Sequence, residues 1–310
     1  MSLLVNLLFV FVAGLITALA TGLGAIPFFF VEDFSDRWNV ALWGIASGIM
    51  VAASLFGLVN EGLAYASDGL PTLMIGGLIA GVVLVEVADR VLDATDVGGG
   101  DHDHTSDPDH TDATATSAVD DEEMLPDGDG SAHDHDHPID LEAFAEGDLK
   151  KLVLILGILT VHSFPEGVAV GVSFAELGLA GGVGVLGLSV PLLAVFMTIA
   201  ISIHNIPEGT AIAIPMRAMG LSKWRMVGAA VFSSLPQPIG AVIAFAFVTW
   251  AESFLPFGFG FAAGAMIYLV LTEFIPEAVA TGVDLPRRGY GELATGITAG
   301  VLLMLPLLYV

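Results

Sequence analysis

Cysteine is absent from the 310 residues, which removes disulfides and thiolate metal sites together and leaves nitrogen and oxygen as the strong ligand atoms. Positive charge is scarce: nine lysines and arginines stand against 34 acidic residues, a formal net charge of −25. Phosphate is repelled by that balance, so no nucleic acid is expected as a partner. Charge of either sign is thin, at 14% of residues, where an ordinary soluble domain carries roughly 25%. A phosphate-cradling G-x-x-x-x-G-K-[ST] loop is missing, which argues against ATP hydrolysis within the chain.

What fills the sequence instead is apolar. Hydrophobic residues make up 55% of the chain, and the mean hydropathy is +0.81. Apolar stretches at 4–30, 39–65, 71–92, 150–174, 185–214, 223–250, 254–280 and 288–310 predict eight transmembrane helices, since ~20 apolar residues cross the hydrocarbon core. The first stretch lacks a basic leading region and is too long for a signal sequence, so it is expected to be retained. The fold class expected is an all-α polytopic membrane protein. GxxxG-like spacing at Gly178–Gly182 and around Gly240 suggests close helix contacts.

The basic residues orient these spans. Arg37 lies between spans 1 and 2, Arg90, Lys150 and Lys151 flank the connection between 3 and 4, Arg217, Lys223 and Arg225 lie between 5 and 6, and Arg287 and Arg288 between 7 and 8. All nine fall on one side, which the positive-inside rule makes cytoplasmic. Both termini are then expected outside the cytoplasm, in a multi-pass protein of the cell membrane.

The acidity is concentrated. Residues 93–149 hold 19 of the 34 acids, six of the eight histidines and no lysine or arginine. Three parts follow: spans 1–3 within 1–95, an acidic, histidine-rich cytoplasmic loop at 96–149, and spans 4–8 within 150–310. The loop has too little apolar surface to offset the entropy of folding, so disorder is expected. Its DHDH and HDHDH runs carry His102, His104, His133, His135 and His137. They read either as a solvated linker or as a low-affinity collector of divalent metal.

The remaining two histidines sit inside spans 4 and 5. Each opens the same pattern, His162-Ser163-Phe164-Pro165-Glu166-Gly167 and His204-Asn205-Ile206-Pro207-Glu208-Gly209. Two related copies on consecutive, oppositely directed helices form a local inverted repeat, the arrangement transporters use to build a midplane site. Spans 4 and 5 are therefore expected to form a central metal site. His and Glu at i, i+4 share one helix face, about 5–6 Å apart at Cβ. Proline between them removes an N–H and frees the carbonyls of Val161 and Ile203. Glycine after the glutamate lets a neighbouring helix come close. Two imidazoles and two carboxylates suit a first-row divalent ion. An ionised side chain at the bilayer centre costs on the order of 3 kcal/mol, so a duplicated set is an expensive way merely to pack helices.

Other polar residues lie along the spans. Asn60 and Glu61 end span 2 on the outer side, and Glu273 and Glu277 form an i, i+4 pair in span 7; all four are candidate pathway residues. Glu86 and Asp89 lie near the cytoplasmic end of span 3, as interfacial or pathway groups. Gln237 is expected to line a pore.

At these residues the chain resembles the ZIP (Zrt-, Irt-like protein) family of divalent metal transporters, prokaryotic members in particular. Ala20-Thr21-Gly22-Leu23-Gly24-Ala25 and Gly264-Ala265-Met266-Ile267-Tyr268 are similar to family signatures in spans 1 and 7. The resemblance implies metal movement toward the cytoplasm, with His162, Glu166, His204, Asn205 and Glu208 as ligands. Members often bind two adjacent ions, helped by an Asn after the span-4 histidine and a Glu in span 6. Those positions read Ser163 and Gln237 here, which removes two strong ligands and one charge. A homodimer and an elevator-like or rocking cycle are implied as well.

The function expected is transport of divalent cations, Zn²⁺ foremost, with Fe²⁺, Mn²⁺, Co²⁺ or Cd²⁺ as further candidates. The metal is then substrate, there is no catalytic cofactor, and the chain is not an enzyme. Two other readings stay open: an intramembrane metal-dependent hydrolase, which lacks the H-E-x-x-H spacing, and a metal-sensing membrane protein that binds ions through its loop.

Overall fold

The computed structural model describes residues 3–31, 35–65, 70–94, 144–178 and 182–306. His102, His104, His133, His135 and His137, and the loop as far as residue 143, lie outside the described residues. Helices dominate the rest. Helix α1 is Leu3–Leu23; α2, Asp36–Ala52, passes through a π-helical turn at Ala53–Val59 into α3, Asn60–Ala64; α4 is Thr72–Ala94; and α5 is Phe144–Ser173. Helix α6 is Leu192–Ala218, α7 Lys223–Ser233, α8 Pro236–Trp250 and α9 Leu255–Leu269; a second π-helical turn, Val270–Phe274, leads to α10, Ile275–Thr281, and the last helix is α11, Tyr290–Met304.

Among the described residues, six helical stretches are long and apolar enough to cross a membrane: Leu3–Leu23, Asp36–Ala64, Thr72–Val91, Leu192–Ala218, Lys223–Trp250 and Glu252–Thr281. The chain is thus a polytopic, largely helical membrane protein. Its outward faces are apolar, with Leu4, Leu8, Ile79, Val83, Ile239 and Ile243 exposed, and polar side chains are drawn inward, the inversion a lipid solvent demands.

Several expectations need correction. The chain is not wholly α-helical: Val183–Val185 (β1) and Leu188–Val190 (β2) form an antiparallel hairpin before α6. Span 5 was expected to be continuous from residue 185. Leu186 and Gly187 instead take φ of 49° and 82°, the left-handed pair that a two-residue hairpin turn requires, and Pro191 precedes the first residue of α6. The Gly178–Gly182 pair makes no helix contact either, because Gly178 has φ 90° in the turn beyond α5. Gly240 does, since a Cβ there would lie 2.6 Å from the Phe164 carbonyl. Span 6 is broken at Ser234–Leu235, where Pro236 and Pro238 cannot donate back into α7.

Helices pack in close pairs, α4 on α9, α2 on α11, α5 on α8 and α1 on both α6 and α8. At one end Arg217 and Lys223 donate to the carbonyls of Phe28 and Phe29. These bonds set the connection after α1 beside the one between α6 and α7. At the start of α2, Arg37 pairs with Glu292 of α11 at 2.8 Å. Beyond α3, the Tyr65 hydroxyl donates to Glu176, which follows α5.

Candidate metal centre

Helical geometry sets the spacing of the side chains within each copy of the repeated motif. On α5, His162 and Glu166 are one turn apart; on α6, His204 and Glu208 repeat the spacing. All four are at most 2% exposed. Proline is accommodated inside both helices, at Pro165 and Pro207. The glycine closing each copy seats a neighbour. A Cβ at Gly167 would lie 2.2 Å from the Gln237 carbonyl of α8, and one at Gly209 would lie 1.8 Å from the Thr21 carbonyl of α1. Only glycine permits such backbone contact, so each motif carries its own docking point for a flanking helix.

Three of the four side chains converge. Ligand atoms of Glu166, His204 and Glu208 all lie within 4.8 Å of one another, and all three residues are buried. His204 Nε2 stands 3.3 Å from Glu166 Oε1. His204 Nδ1 and Glu208 Oε1 have no hydrogen-bond partner. Buried polar atoms are nearly always satisfied, and two carboxylates sealed from water call for a compensating cation. An imidazole and two carboxylates are a suitable donor set for a divalent transition metal.

His162 faces elsewhere. Its Nε2 lies 2.9 Å from Asp89 Oδ1 on α4, while its Nδ1 is buried without a partner. Asp89 is partly exposed. One turn before it, Glu86 accepts from Tyr268 and from Arg90, so Arg90 is engaged by Glu86 and Asp89 faces the histidine. A narrow crevice lined by Val85, His162, Pro165, Glu166, Met266 and Leu269 runs between α4, α5 and α9. His162 therefore sits where the three-residue cluster meets a polar strip on α4.

The remaining candidates divide. Asn205 and Gln237 reach the centre as hydrogen-bonding amides: Asn205 Nδ2 donates to the Thr17 carbonyl and to Gln237 Oε1, and Gln237 Nε2 donates to Glu166 Oε2. Ser163 turns back to the Leu159 carbonyl of its own helix, at 2.9 Å. Asn60 is exposed, Glu61 partly buried, Glu273 partly buried in the second π-helical turn, and Glu277 exposed on α10. None of these four belongs to the three-residue cluster. Thr17 was missed in the sequence because it contributes through its main chain, which carries no residue-type signal. Asp89 was seen only as an interfacial or pathway group. Its signal was an acid in an otherwise apolar span, and its role depends on a contact 73 positions away.

A family model described as ZIP Zinc transporter matches residues 3–307. The chain is 35% identical over 159 residues to the zinc transporter GufA of Myxococcus xanthus, covering 50% of this chain and 54% of that protein. It is 42% identical over 153 residues to the zinc transporter ZIPB of Bordetella bronchiseptica, covering 48% and 43%. To the zinc transporter ZupT of Corynebacterium aurimucosum it is 27% identical over 287 residues, 90% of each chain. The chain spans 33% to 54% of the length of the first curated relatives it matches.

Proposed function

The chain belongs to the ZIP zinc transporter family, and from that premise we propose that it carries divalent transition-metal ions, Zn²⁺ foremost, across the cell membrane toward the cytoplasm. The observation that carries this reading is the convergence of Glu166, His204 and Glu208, buried and mutually within 4.8 Å, in a largely helical membrane protein. Names of the matched relatives are those of transporters, which also favours transport over hydrolysis.

The six membrane-length stretches become eight spans when α5 and α11 are added. Helix α5 has 30 residues, and the 15 of α11 rise about 22 Å. An eight-span topology puts both termini outside and every lysine and arginine on the cytoplasmic side. The pairing of Arg217 and Lys223 with the carbonyls after α1 supports grouping those connections at one end. The repeated His-x-x-Pro-Glu-Gly motif on α5 and α6 forms the inverted pair at the midplane, and a homodimer is the assembly we assign.

The ion is substrate throughout. After shedding part of its water it is held by Glu166, His204 and Glu208, with His162 on the α4 side turning from Asp89 to supply a fourth ligand. Oxygen and nitrogen donors without thiolate keep the site labile enough for release. From His162 the acidic strip of Asp89 and Glu86 leads away toward the cytoplasm and the acidic loop.

Purified protein in liposomes tests the proposal. Saturable Zn²⁺ uptake is expected, with Fe²⁺, Mn²⁺, Co²⁺ and Cd²⁺ as competitors. H204A/E208Q is expected to lower uptake at least tenfold, and deletion of residues 98–140 to leave it within twofold. Folded, metal-binding protein that moves no ion would overturn the reading.

A further inference from the structure

Two carboxamides close the side of the centre that faces α1 and α8. Asn205 and Gln237 are both fully buried. Asn205 Nδ2 donates to the Thr17 carbonyl at 2.8 Å and to Gln237 Oε1 at 3.1 Å, and Gln237 Nε2 donates to Glu166 Oε2 at 2.5 Å. The direction of this chain is set from both ends. A main-chain carbonyl and a carboxylate only accept hydrogen bonds, so each must meet an NH₂ group. Turning either amide over would set oxygen against oxygen. The close seat of α8 on Gly167, 2.2 Å from an added Cβ to the Gln237 carbonyl, keeps the Gln237 backbone in place.

This arrangement divides the Glu166 carboxylate. Oε1 faces His204 and is available to an ion shared with Glu208; Oε2 is taken by an N–H donor. A second cation beside Glu166 would have to displace that donor and would meet the positive end of an amide dipole. The acceptor left to it on that side is the neutral Asn205 Oδ1, which has no partner. Ser163, whose hydroxyl donates to the Leu159 carbonyl, brings no negative charge to compensate a second cation.

We propose that the Asn205–Gln237 amide pair limits the centre to one divalent cation by occupying Glu166 Oε2 and presenting N–H groups where an adjacent ion would sit. The inference rests on the reading that Glu166, His204 and Glu208 hold the transported ion. Exchanging the donor edge for a carboxylate supplies the missing ligand and charge, and so opens the second place.

Zinc counted by mass spectrometry after equilibrium dialysis of the full-length protein in detergent tests this. Ions bound elsewhere, the acidic loop included, are counted on matched H204A/E208Q backgrounds. The wild type is expected to hold one Zn²⁺ per chain above that background, and Q237E two. N205D, which breaks the amide chain from its other member, is also expected to hold two and decides the matter where Q237E does not fold. X-ray absorption of Q237E should show a metal–metal distance of about 3.5–4 Å. Two ions in the wild type, or one in both variants with native circular dichroism, overturns the proposal. A wild type no higher than H204A/E208Q removes the reading of the centre itself, a different failure from a variant count that stays at one.

Discussion

Gly209→Ala is the sharpest probe of how the motif builds its site. An added Cβ would stand 1.8 Å from the Thr21 carbonyl, about 1.6 Å short of the 3.4 Å at which ordinary contact begins. The obstacle is main chain on both sides, so no rotamer relieves it. Helix α1 must move away from α6 by roughly that distance, as overpacked interfaces do. The same movement stretches the 2.8 Å bond from Asn205 to Thr17 past 4 Å and leaves a buried amide donor short of a partner. Overpacking of about 1–3 kcal/mol and a lost buried hydrogen bond of about 1 kcal/mol together give a destabilisation of about 2–4 kcal/mol. That corresponds to a fall of roughly 5–10 °C in apparent unfolding temperature. Zinc affinity should drop about tenfold or more, because the Asn205–Gln237–Glu166 chain loses its anchor on the Thr17 carbonyl of α1. Gly76→Ala is the control: nothing lies within 4 Å of a Cβ there, and alanine favours the helix by about 1 kcal/mol. Thermal unfolding in detergent and zinc titration on both variants decide the matter. If Gly209→Ala matches Gly76→Ala in both, the close seat of α1 does not position the centre.

Two further outcomes follow from the same geometry. Zinc at a hundredfold over its dissociation constant should stabilise the folded protein by about 2.7 kcal/mol, seen as a raised unfolding temperature that a chelator reverses; H204A/E208Q should lose most of that rise, and an undiminished rise would move the binding elsewhere. Asp89→Leu removes the hydrogen-bond partner of His162 Nε2, a charge-assisted contact of about 1.5–3 kcal/mol; maximal zinc flux in liposomes should fall about tenfold or more while equilibrium affinity changes less than twofold, and an equal loss in both would place Asp89 in binding instead.

Membrane character, the helical fold and the duplicated motif were legible in the sequence because each rests on local or compositional physics. Runs of ~20 apolar residues have few places to go but a bilayer. Spacing of i, i+4 puts His and Glu on one face whatever surrounds the helix. The glycine ending each motif was readable as a point of close approach, and Gly167 and Gly209 serve as such. The hairpin at Val183–Val190 was hidden by its valines and leucines, which read as the start of a span until the left-handed turn at Leu186 and Gly187 is seen.

Tertiary structure decided which way the side chains face. A local pattern makes His162 and His204 equivalent, yet one joins two carboxylates and the other turns to an aspartate on α4. That difference depends on what packs against each helix, and the packing brings together residues separated by the acidic loop. Gln237 was readable as a polar group in span 6, but its place as a donor to Glu166 needs α8 seated on Gly167, and the direction of its amide needs Thr17 on α1. Helical periodicity assigns residues to faces by itself; hydrogen-bond polarity is settled only when both partners are in place, because an amide can be turned either way until an acceptor at each end leaves it one orientation.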